Sequence, residues 1–160
     1  MIKTGIGQDS HAFDTDNSKP LVLGGVTFDH PQGLKGNSDA DVILHSLTNA
    51  ISSVTGKNII GVKADELCQQ GVTDSAEYLK LALLDLADLG AWKIVHIAIA
   101  IECLVPKISP NMAALKSSIA NLTNINTQDI GITATTGEGL TAFGRGEGIQ
   151  VFTIITIAYE

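Results

Sequence analysis

The chain is poor in cysteine, aromatic residues and basic charge, and each shortage excludes a class of protein. Its two cysteines, Cys68 and Cys103, lie far apart, so neither a disulfide framework nor a cysteine-ligated zinc site is expected. Only 10 lysine and arginine residues oppose 17 acidic residues. The net charge of −7 has the wrong sign for a protein that neutralises nucleic-acid phosphates, so no nucleic-acid partner is expected.

Long apolar runs are also missing. No stretch approaches the roughly 18 apolar residues of a membrane span, and Met1 to Gly5 lead into folded-looking sequence without a secretory leader. We therefore expect a cytoplasmic protein with no membrane partner. The 160 residues suit a single domain over 1–160. The charged fraction of 17%, against roughly 25% in typical soluble domains, suggests that part of the surface is hidden in an oligomer.

Hydrophobic periodicity predicts a domain of mixed strands and helices. A polar turn from Asp14 to Lys19 is expected after the first strand, and a short helix can be accommodated within residues 55–71. We expect Ser38 to cap the first long helix, and Thr73 or Asp74 the second. The predicted strands are residues 2–8, 20–28, 94–101, 130–135 and 149–159, and the predicted helices are residues 39–53, 75–89 and 109–122.

Two strands have informative side-chain patterns. The strand at 94–101 alternates in side-chain size, which places Val95, Ile97, Ile99 and Ile101 on one face. The last strand is apolar on both faces, because Phe152, Ile154 and Ala158 alternate with Val151, Ile155 and Ile157. Three helices can cover only one face of a four-stranded sheet, so we infer that another subunit covers the other. A partly solvated second face remains the alternative.

Asp9, His11 and His45 form the candidate metal site. Residues two apart in an extended strand project to the same side, so Asp9 and His11 can hold one ion. His45 lies on the first predicted helix, and one carboxylate with two imidazoles suits zinc or a similar divalent cation with a position left for substrate. The alternative is that these are ordinary surface or core histidines, as we assume for His30 and His96.

The segment Gly36–Asp41 places a turn and a hydroxyl before a predicted helix. Free N–H groups and the helix dipole favour an anion there, so the segment is a candidate phosphate site. Ordinary helix capping by Ser38 and Asp39 is the alternative, and taken alone the local pattern favours it.

A second glycine-rich region comprises Gly137–Gly139 and Gly144–Gly148. It is not a dinucleotide-binding fingerprint, because a strand and not a helix follows it. As a loop between strands it can approach a ligand closely, with Glu138 and Arg145 supplying charge. A wide turn with solvated charges is the alternative.

Five segments, taken together and in order, resemble the 2-C-methyl-D-erythritol 2,4-cyclodiphosphate synthase family. No single segment is specific for this family. The five together are specific, because they occur in order, with compatible spacing, over nearly the whole chain. The segments are Gly5–Phe13, Asn37–His45, Pro106–Pro110, Thr133–Thr136 with Glu138, and Gly144–Gly148.

The resemblance implies an α+β fold, with a ferredoxin-like four-stranded sheet that has helices on one face. The other face would pack in a homotrimer whose active sites lie at subunit boundaries. The implied reaction is the cyclisation of 4-CDP-2-C-methyl-D-erythritol 2-phosphate, a CDP-linked small molecule, to 2-C-methyl-D-erythritol 2,4-cyclodiphosphate with release of CMP.

The resemblance also implies roles for individual residues. Zinc or another divalent cation would be held by Asp9, His11 and His45, and Mg²⁺ or Mn²⁺ would bridge the substrate diphosphate with help from Glu138. Asn37 and Thr136 occupy the family's catalytic positions. The implied substrate-binding residues are Asp9, Ser10, His11, Asn37, Ser38, Gly61, Asp65, Cys103, Leu104, Val105, Pro106, Lys107, Thr135, Thr136, Gly137, Glu138 and Arg145.

Some positions depart from the family pattern. The family usually has histidine where this chain has Asn37, and Asp-Ile-Gly where it has Ile59-Ile60-Gly61. Because of these differences, we retain a second hypothesis: the chain is a non-catalytic trimeric relative that binds a nucleotide or an isoprenoid diphosphate. An unrelated metal-dependent phosphohydrolase would need a general base for water, for which Asp39 and Asp41 are the best candidates.

Overall fold

The computed structural model describes residues 1–16 and 19–160, so Asn17 and Ser18 of the predicted polar turn lie outside the described residues. Strands and helices follow one another along the rest of the chain. They are β1 (Ile2–Ala12), β2 (Leu21–Leu23), β3 (Val26–Phe28), α1 (Val42–Thr55), α2 (Val62–Gln69), α3 (Ser75–Ala87), β4 (Trp92–Glu102), α4 (Met112–Thr123), β5 (Ile130–Thr135) and β6 (Gly148–Tyr159).

The main sheet has the strand order β1-β6-β4-β5. β6 is antiparallel to both of its neighbours, whereas β4 and β5 are parallel and α4 connects them. The predicted α+β class with a four-stranded sheet is therefore confirmed. A ferredoxin-like domain has the element order β-α-β-β-α-β. Here β5 and β6 follow one another after α4, so the ferredoxin-like part of the prediction is not confirmed.

The predicted strand at 20–28 is wrong, because two short strands take its place. β2 and β3 form a separate antiparallel hairpin that contacts α1 and α4. Gly24 and Gly25 connect them with φ angles of 60° and 77°, a left-handed conformation that glycine adopts without steric cost. The chain therefore reverses at these two glycines instead of continuing as one strand.

The first long helix begins three residues later than predicted. Ala40 has a φ of 55°, which is incompatible with a continuous right-handed helix through residues 39–41. Asp41 is the N-cap in place of Ser38, and its Oδ1 accepts a hydrogen bond of 3.0 Å from the Leu44 N–H. The Ser38 hydroxyl instead accepts from the Ala40 N–H at 3.0 Å.

The predicted position of Val95 is also wrong. A bulge between Ile94 and His96 interrupts the pairing of β4 with β6, so the alternation changes phase there. Val95 is 44% exposed, whereas Ile97, Ile99 and Ile101 are buried as expected.

Two glycines allow α1 to lie directly on β1. A Cβ at Gly7 would come within 2.0 Å of the Ser46 carbonyl oxygen, and a Cβ at Gly5 within 2.3 Å of the Ala50 carbonyl oxygen. Any larger residue would force the helix away from the strand. This close contact brings the first half of α1 against the end of β1.

The two faces of the sheet differ in exposure. On β6, Val151, Ile155 and Ile157 are buried beneath the helices, while Phe152 and Ile154 are each 43% exposed on the opposite face. The predicted alternation of this strand is therefore confirmed. Among the described residues, no helix is long and apolar enough to cross a membrane.

Candidate metal and substrate site

Asp9, His11 and His45 converge on a single point. The Asp9 Oδ2 lies 2.9 Å from His11 Nε2 and 3.1 Å from His45 Nδ1, and the two ring nitrogens are 3.4 Å apart. Donor atoms that share a tetrahedral zinc ion at about 2.0–2.1 Å are separated by roughly 3.3 Å. The three side chains therefore fit one small divalent cation.

The charge state of Asp9 also favours a cation. Burial raises the pKa of this carboxyl, but hydrogen bonds and Coulombic attraction from His11 and His45 outweigh burial and lower it to about 2. For His11, burial lowers the pKa and the bond to Asp9 raises it, with a net upward shift. Asp9 is thus an ionised oxygen ligand at neutral pH.

Asp41 fixes the start of the helix that carries His45. Its Oδ1 accepts from the Gly24 N–H at 2.8 Å and its Oδ2 from the Gly25 N–H at 2.7 Å, in addition to the capping bond. Complete burial raises the pKa of the carboxyl to about 6, although these three backbone donors oppose the shift. Asp41 therefore joins the β2–β3 turn to α1 and is inaccessible to a water nucleophile.

The three convergent side chains line a cavity of about 290 Å³. Asn37 and Ser38 form part of its wall before α1, and Gly61 and Asp65 form another part at the start of α2. The segment proposed from sequence as an anion site therefore faces the same space as the cation ligands. The complete lining is Asp9, His11, Gly36, Asn37, Ser38, His45, Ile60, Gly61, Ala64, Asp65, Cys68 and Tyr78.

A second cavity, of about 140 Å³, lies where β4 and β5 end. The Cys103 thiol is directed at the Pro106 carbonyl oxygen, 3.7 Å away, and burial raises the pKa of this thiol to about 11. Among the residues that the structure describes, none lines both this cavity and the first. Its lining is Cys103, Leu104, Pro106, Lys107, Ile108, Ser109, Ala134, Thr135 and Thr136.

Other residues selected from the sequence lie outside both linings. Ser10 projects from the face of β1 opposite Asp9 and His11, and Val105 is 38% exposed beside the second cavity. Gly137 and Glu138 belong to a short turn of 3₁₀ helix after β5. Arg145 is exposed, and its Nε lies 3.4 Å from Glu147 Oε2.

Sequence reasoning missed Ser75, which lies behind His45. The Ser75 Oγ is 2.8 Å from His45 Nε2 and also bonds the Asp39 carboxylate. The sequence predicts Asp74 as a helix cap, and Asp74-Ser75 resembles an Asp-Ser pair of the family, but nothing in the spacing points from Ser75 to a histidine 30 residues earlier. Cys68 and Tyr78 were likewise not identified as lining residues.

Known proteins match this chain over nearly its whole length. A model of the YgbB family matches residues 2–158. A curated 2-C-methyl-D-erythritol 2,4-cyclodiphosphate synthase from Chlamydia muridarum is 47% identical over 159 residues, covering 98% of this chain and 88% of the relative. The synthase of the same name from Chlamydia abortus is 48% identical over 159 residues, covering 98% and 89%. Among solved structures, IspF from Plasmodium falciparum in complex with CDP matches with a TM-score of 0.83 at 28% identity, over 99% of this chain and 97% of that one.

Proposed function

The chain belongs to the YgbB family, and from this membership we propose that it catalyses the reaction for which its curated relatives are named. It cyclises 4-CDP-2-C-methyl-D-erythritol 2-phosphate to 2-C-methyl-D-erythritol 2,4-cyclodiphosphate and releases CMP, in non-mevalonate isoprenoid biosynthesis. The relatives that support this assignment cover 98% of the chain. The observation that carries it is the convergence of Asp9, His11 and His45 at the wall of a cavity with hydroxyl and amide groups.

Asp9, His11 and His45 hold one divalent cation, for which zinc is the best candidate. The chemistry of this donor set supports the choice, because one ionised carboxylate and two imidazoles are typical of catalytic zinc sites. When bound, such an ion acts as a Lewis acid that stabilises negative charge on phosphate oxygens. A Mg²⁺ or Mn²⁺ ion that accompanies the substrate diphosphate would use the exposed carboxylate of Glu138.

The chain's own residues orient the substrate. Asn37 and Ser38 contact phosphate and Asp65 accepts from erythritol hydroxyls, which is supported by their shared cavity wall. Holding the 2-phosphate beside the diphosphate makes the attack intramolecular, so proximity supplies much of the acceleration. The cytidine group occupies the second cavity, which is lined by Thr135, Thr136, Cys103, Leu104, Pro106 and Lys107.

Each complete active site combines the first cavity of one subunit with the second cavity of a neighbouring subunit. Within the described part of one chain the two cavities share no lining residue, although one substrate must contact both linings. The uncovered apolar face of the sheet, with Phe152 and Ile154, supplies a surface for association. A homotrimer around that face would bring the cation cavity of one subunit to the cytidine cavity of its neighbour.

A second candidate function is a non-catalytic trimeric relative that binds a nucleotide or an isoprenoid diphosphate. Ile59 favours it, because this residue is 1% exposed in the core and cannot replace the acidic side chain usual in the family. Asn37 favours it too, since an amide carries no positive charge toward phosphate. Such a protein would be stabilised by CDP without releasing CMP from the substrate.

Elemental analysis and a CMP-release assay on the purified protein test the proposal. We expect one zinc ion per chain and CMP release in the wild type, with loss of both in His45→Ala. His30→Ala is the matched control, because His30 stacks on Phe13 and is absent from the linings of both cavities. A zinc-loaded wild type that releases no CMP would contradict the cyclisation and support the non-catalytic alternative.

A further inference from the structure

A hydrogen-bonded chain extends from the far side of His45 into the protein. His45 Nε2 lies 2.8 Å from Ser75 Oγ, and the Ser75 hydroxyl also contacts Asp39 Oδ1. Ser75 is completely buried at the first turn of α3, and His45 is only 7% exposed. None of these contacts is directed into the cavity, so the chain lies behind the cation ligands.

The chemistry of the three groups fixes the direction of these bonds. A carboxylate only accepts hydrogen bonds, and a serine hydroxyl has a single hydrogen to donate. The Ser75 hydroxyl therefore donates to Asp39, and its oxygen accepts from the Nε2–H of His45. With the proton on Nε2, the lone pair of Nδ1 is directed at the point shared with Asp9 and His11.

Asp39 is itself held by the backbone. Its Oδ2 accepts from the Ser75 N–H at 3.0 Å, and its Oδ1 accepts from the Asp41 N–H at 3.1 Å. The Asp39 N–H donates to the Thr73 carbonyl at 2.9 Å. The carboxylate is thus anchored between the segment before α1 and the segment before α3.

We propose that Ser75 and Asp39 are positioning residues that fix the tautomer and ring orientation of His45, so that its Nδ1 is presented to the cation. The inference rests on the cation site of the proposed function and adds residues that act through His45. A carboxylate behind a histidine ligand also makes the ligand nitrogen a better electron donor. Loss of such a partner typically weakens metal affinity by about 10–100-fold.

The test measures Zn²⁺ affinity by competition with a chromophoric chelator on the full-length protein. We expect Ser75→Ala to bind Zn²⁺ about 10–100-fold more weakly than the wild type. Ser75→Thr retains the hydroxyl, so we expect it to recover most of the Zn²⁺ affinity that Ser75→Ala loses. Ser52→Ala is the matched control, because Ser52 is a buried serine on α1 whose hydroxyl has no hydrogen-bond partner among the described residues; its affinity should stay within about twofold.

The ¹⁵N NMR shifts of the His45 ring provide a readout that a general loss of stability would not change. We expect the Nε2–H tautomer of His45 in the metal-free wild type and in metal-free Ser52→Ala, and a mixture of both tautomers in metal-free Ser75→Ala. Should Ser75→Ala fail to fold, Asp39→Asn removes the negative charge at the other end of the hydrogen-bonded chain and should also weaken Zn²⁺ binding. Zn²⁺ affinity is the readout for this variant, because the asparagine amide oxygen still accepts from the Ser75 hydroxyl.

The outcomes separate this inference from the proposed function. Wild-type affinity and an unchanged His45 tautomer in folded Ser75→Ala, or wild-type affinity in folded Asp39→Asn, would overturn the positioning role and leave the proposed function intact. A wild type that binds no Zn²⁺ would overturn the cation site and the inference together.

Discussion

At the scale of single residues, Asn37 is the clearest departure from the family pattern. It lines the cation cavity, and its backbone carbonyl accepts from the Cys68 thiol at 3.0 Å. The family usually has histidine here, which can donate a charge-assisted hydrogen bond to phosphate. Such bonds contribute about 1.5–3 kcal/mol, so a histidine at this position should strengthen substrate binding measurably.

We therefore predict that Asn37→His lowers the KM for the CDP-linked substrate by about tenfold. Steady-state CMP release measures the effect, and its size should decrease as the pH rises and the new imidazole loses its charge. Lys35→His is the control, because Lys35 is exposed two residues earlier and does not line the cavity. An unchanged KM in Asn37→His would mean that position 37 does not contact phosphate.

Residue spacing predicted that Asp9, His11 and His45 converge, but not which residues support them. Asp9 and His11 are two apart on one strand, so their common direction follows from strand geometry alone. Ser75 is 30 residues from His45, and the contact exists only because α3 packs against α1. Since that packing is a tertiary property, a local pattern around Asp74-Ser75 could indicate only a helix start.

At the scale of secondary structure, the glycines of β1 determine how close α1 can approach. We predict that Gly7→Ala lowers the free energy of unfolding by about 2–3 kcal/mol, because the added Cβ would overlap the Ser46 carbonyl oxygen. Displacement of the helix would also move His45 away from Asp9, so Zn²⁺ affinity should fall as well. Urea unfolding and chelator competition measure the two effects.

Gly131→Ala is the control for this substitution. Gly131 also lies in a strand of the main sheet, on the uncovered face with Phe152 and Ile154, but a Cβ there would meet no heavy atom of the described residues within 4 Å. We expect it to change the unfolding free energy by less than about 1 kcal/mol. If Gly7→Ala and Gly131→Ala lowered the free energy of unfolding equally, the contact between α1 and β1 would not explain why residue 7 is glycine.

The elements were predictable where the pattern was continuous and unpredictable where one residue broke it. β5 has the predicted bounds, Ile130–Thr135, because turn residues flank a short apolar run. Helix α1 was placed too early because Ser38 and Asp39 are both good capping residues. The left-handed Ala40 that excludes them has no marker in the sequence, since alanine rarely adopts that conformation.

At the scale of the whole molecule, the exposed apolar face of the sheet should determine the assembly state. We predict that Ile154→Asp dissociates the proposed trimer, because the substitution places a charge in the centre of a face that must be dehydrated on association. Light scattering after size-exclusion chromatography should give a mass close to the 16.7 kDa of one chain. CMP release should fall when the trimer dissociates, because each active site would lose one of its two cavities.

Leu84→Asp is the matched control. Leu84 is 56% exposed on α3, on the helical side of the molecule, and a charge there should leave the assembly unchanged. A wild type that already elutes as a monomer, or an Ile154→Asp variant that remains trimeric, would contradict this assembly. Apolar alternation in β6 predicted that the face needs cover, but a sequence pattern cannot specify how many copies supply it.

The pairing of β1 with β6 has a consequence for how the protein is made. Among the described strands of the main sheet, β1 pairs with β6 alone, and their register joins Ile2 to Ala158. While the ribosome is still synthesising the chain, Asp9 and His11 therefore lie on a strand without its neighbour, even after α1 has left the exit tunnel. The arrangement of Asp9 and His11 therefore depends on residues 148–159, because β1 gains its neighbour in the sheet only after β6 has been made and has folded against it.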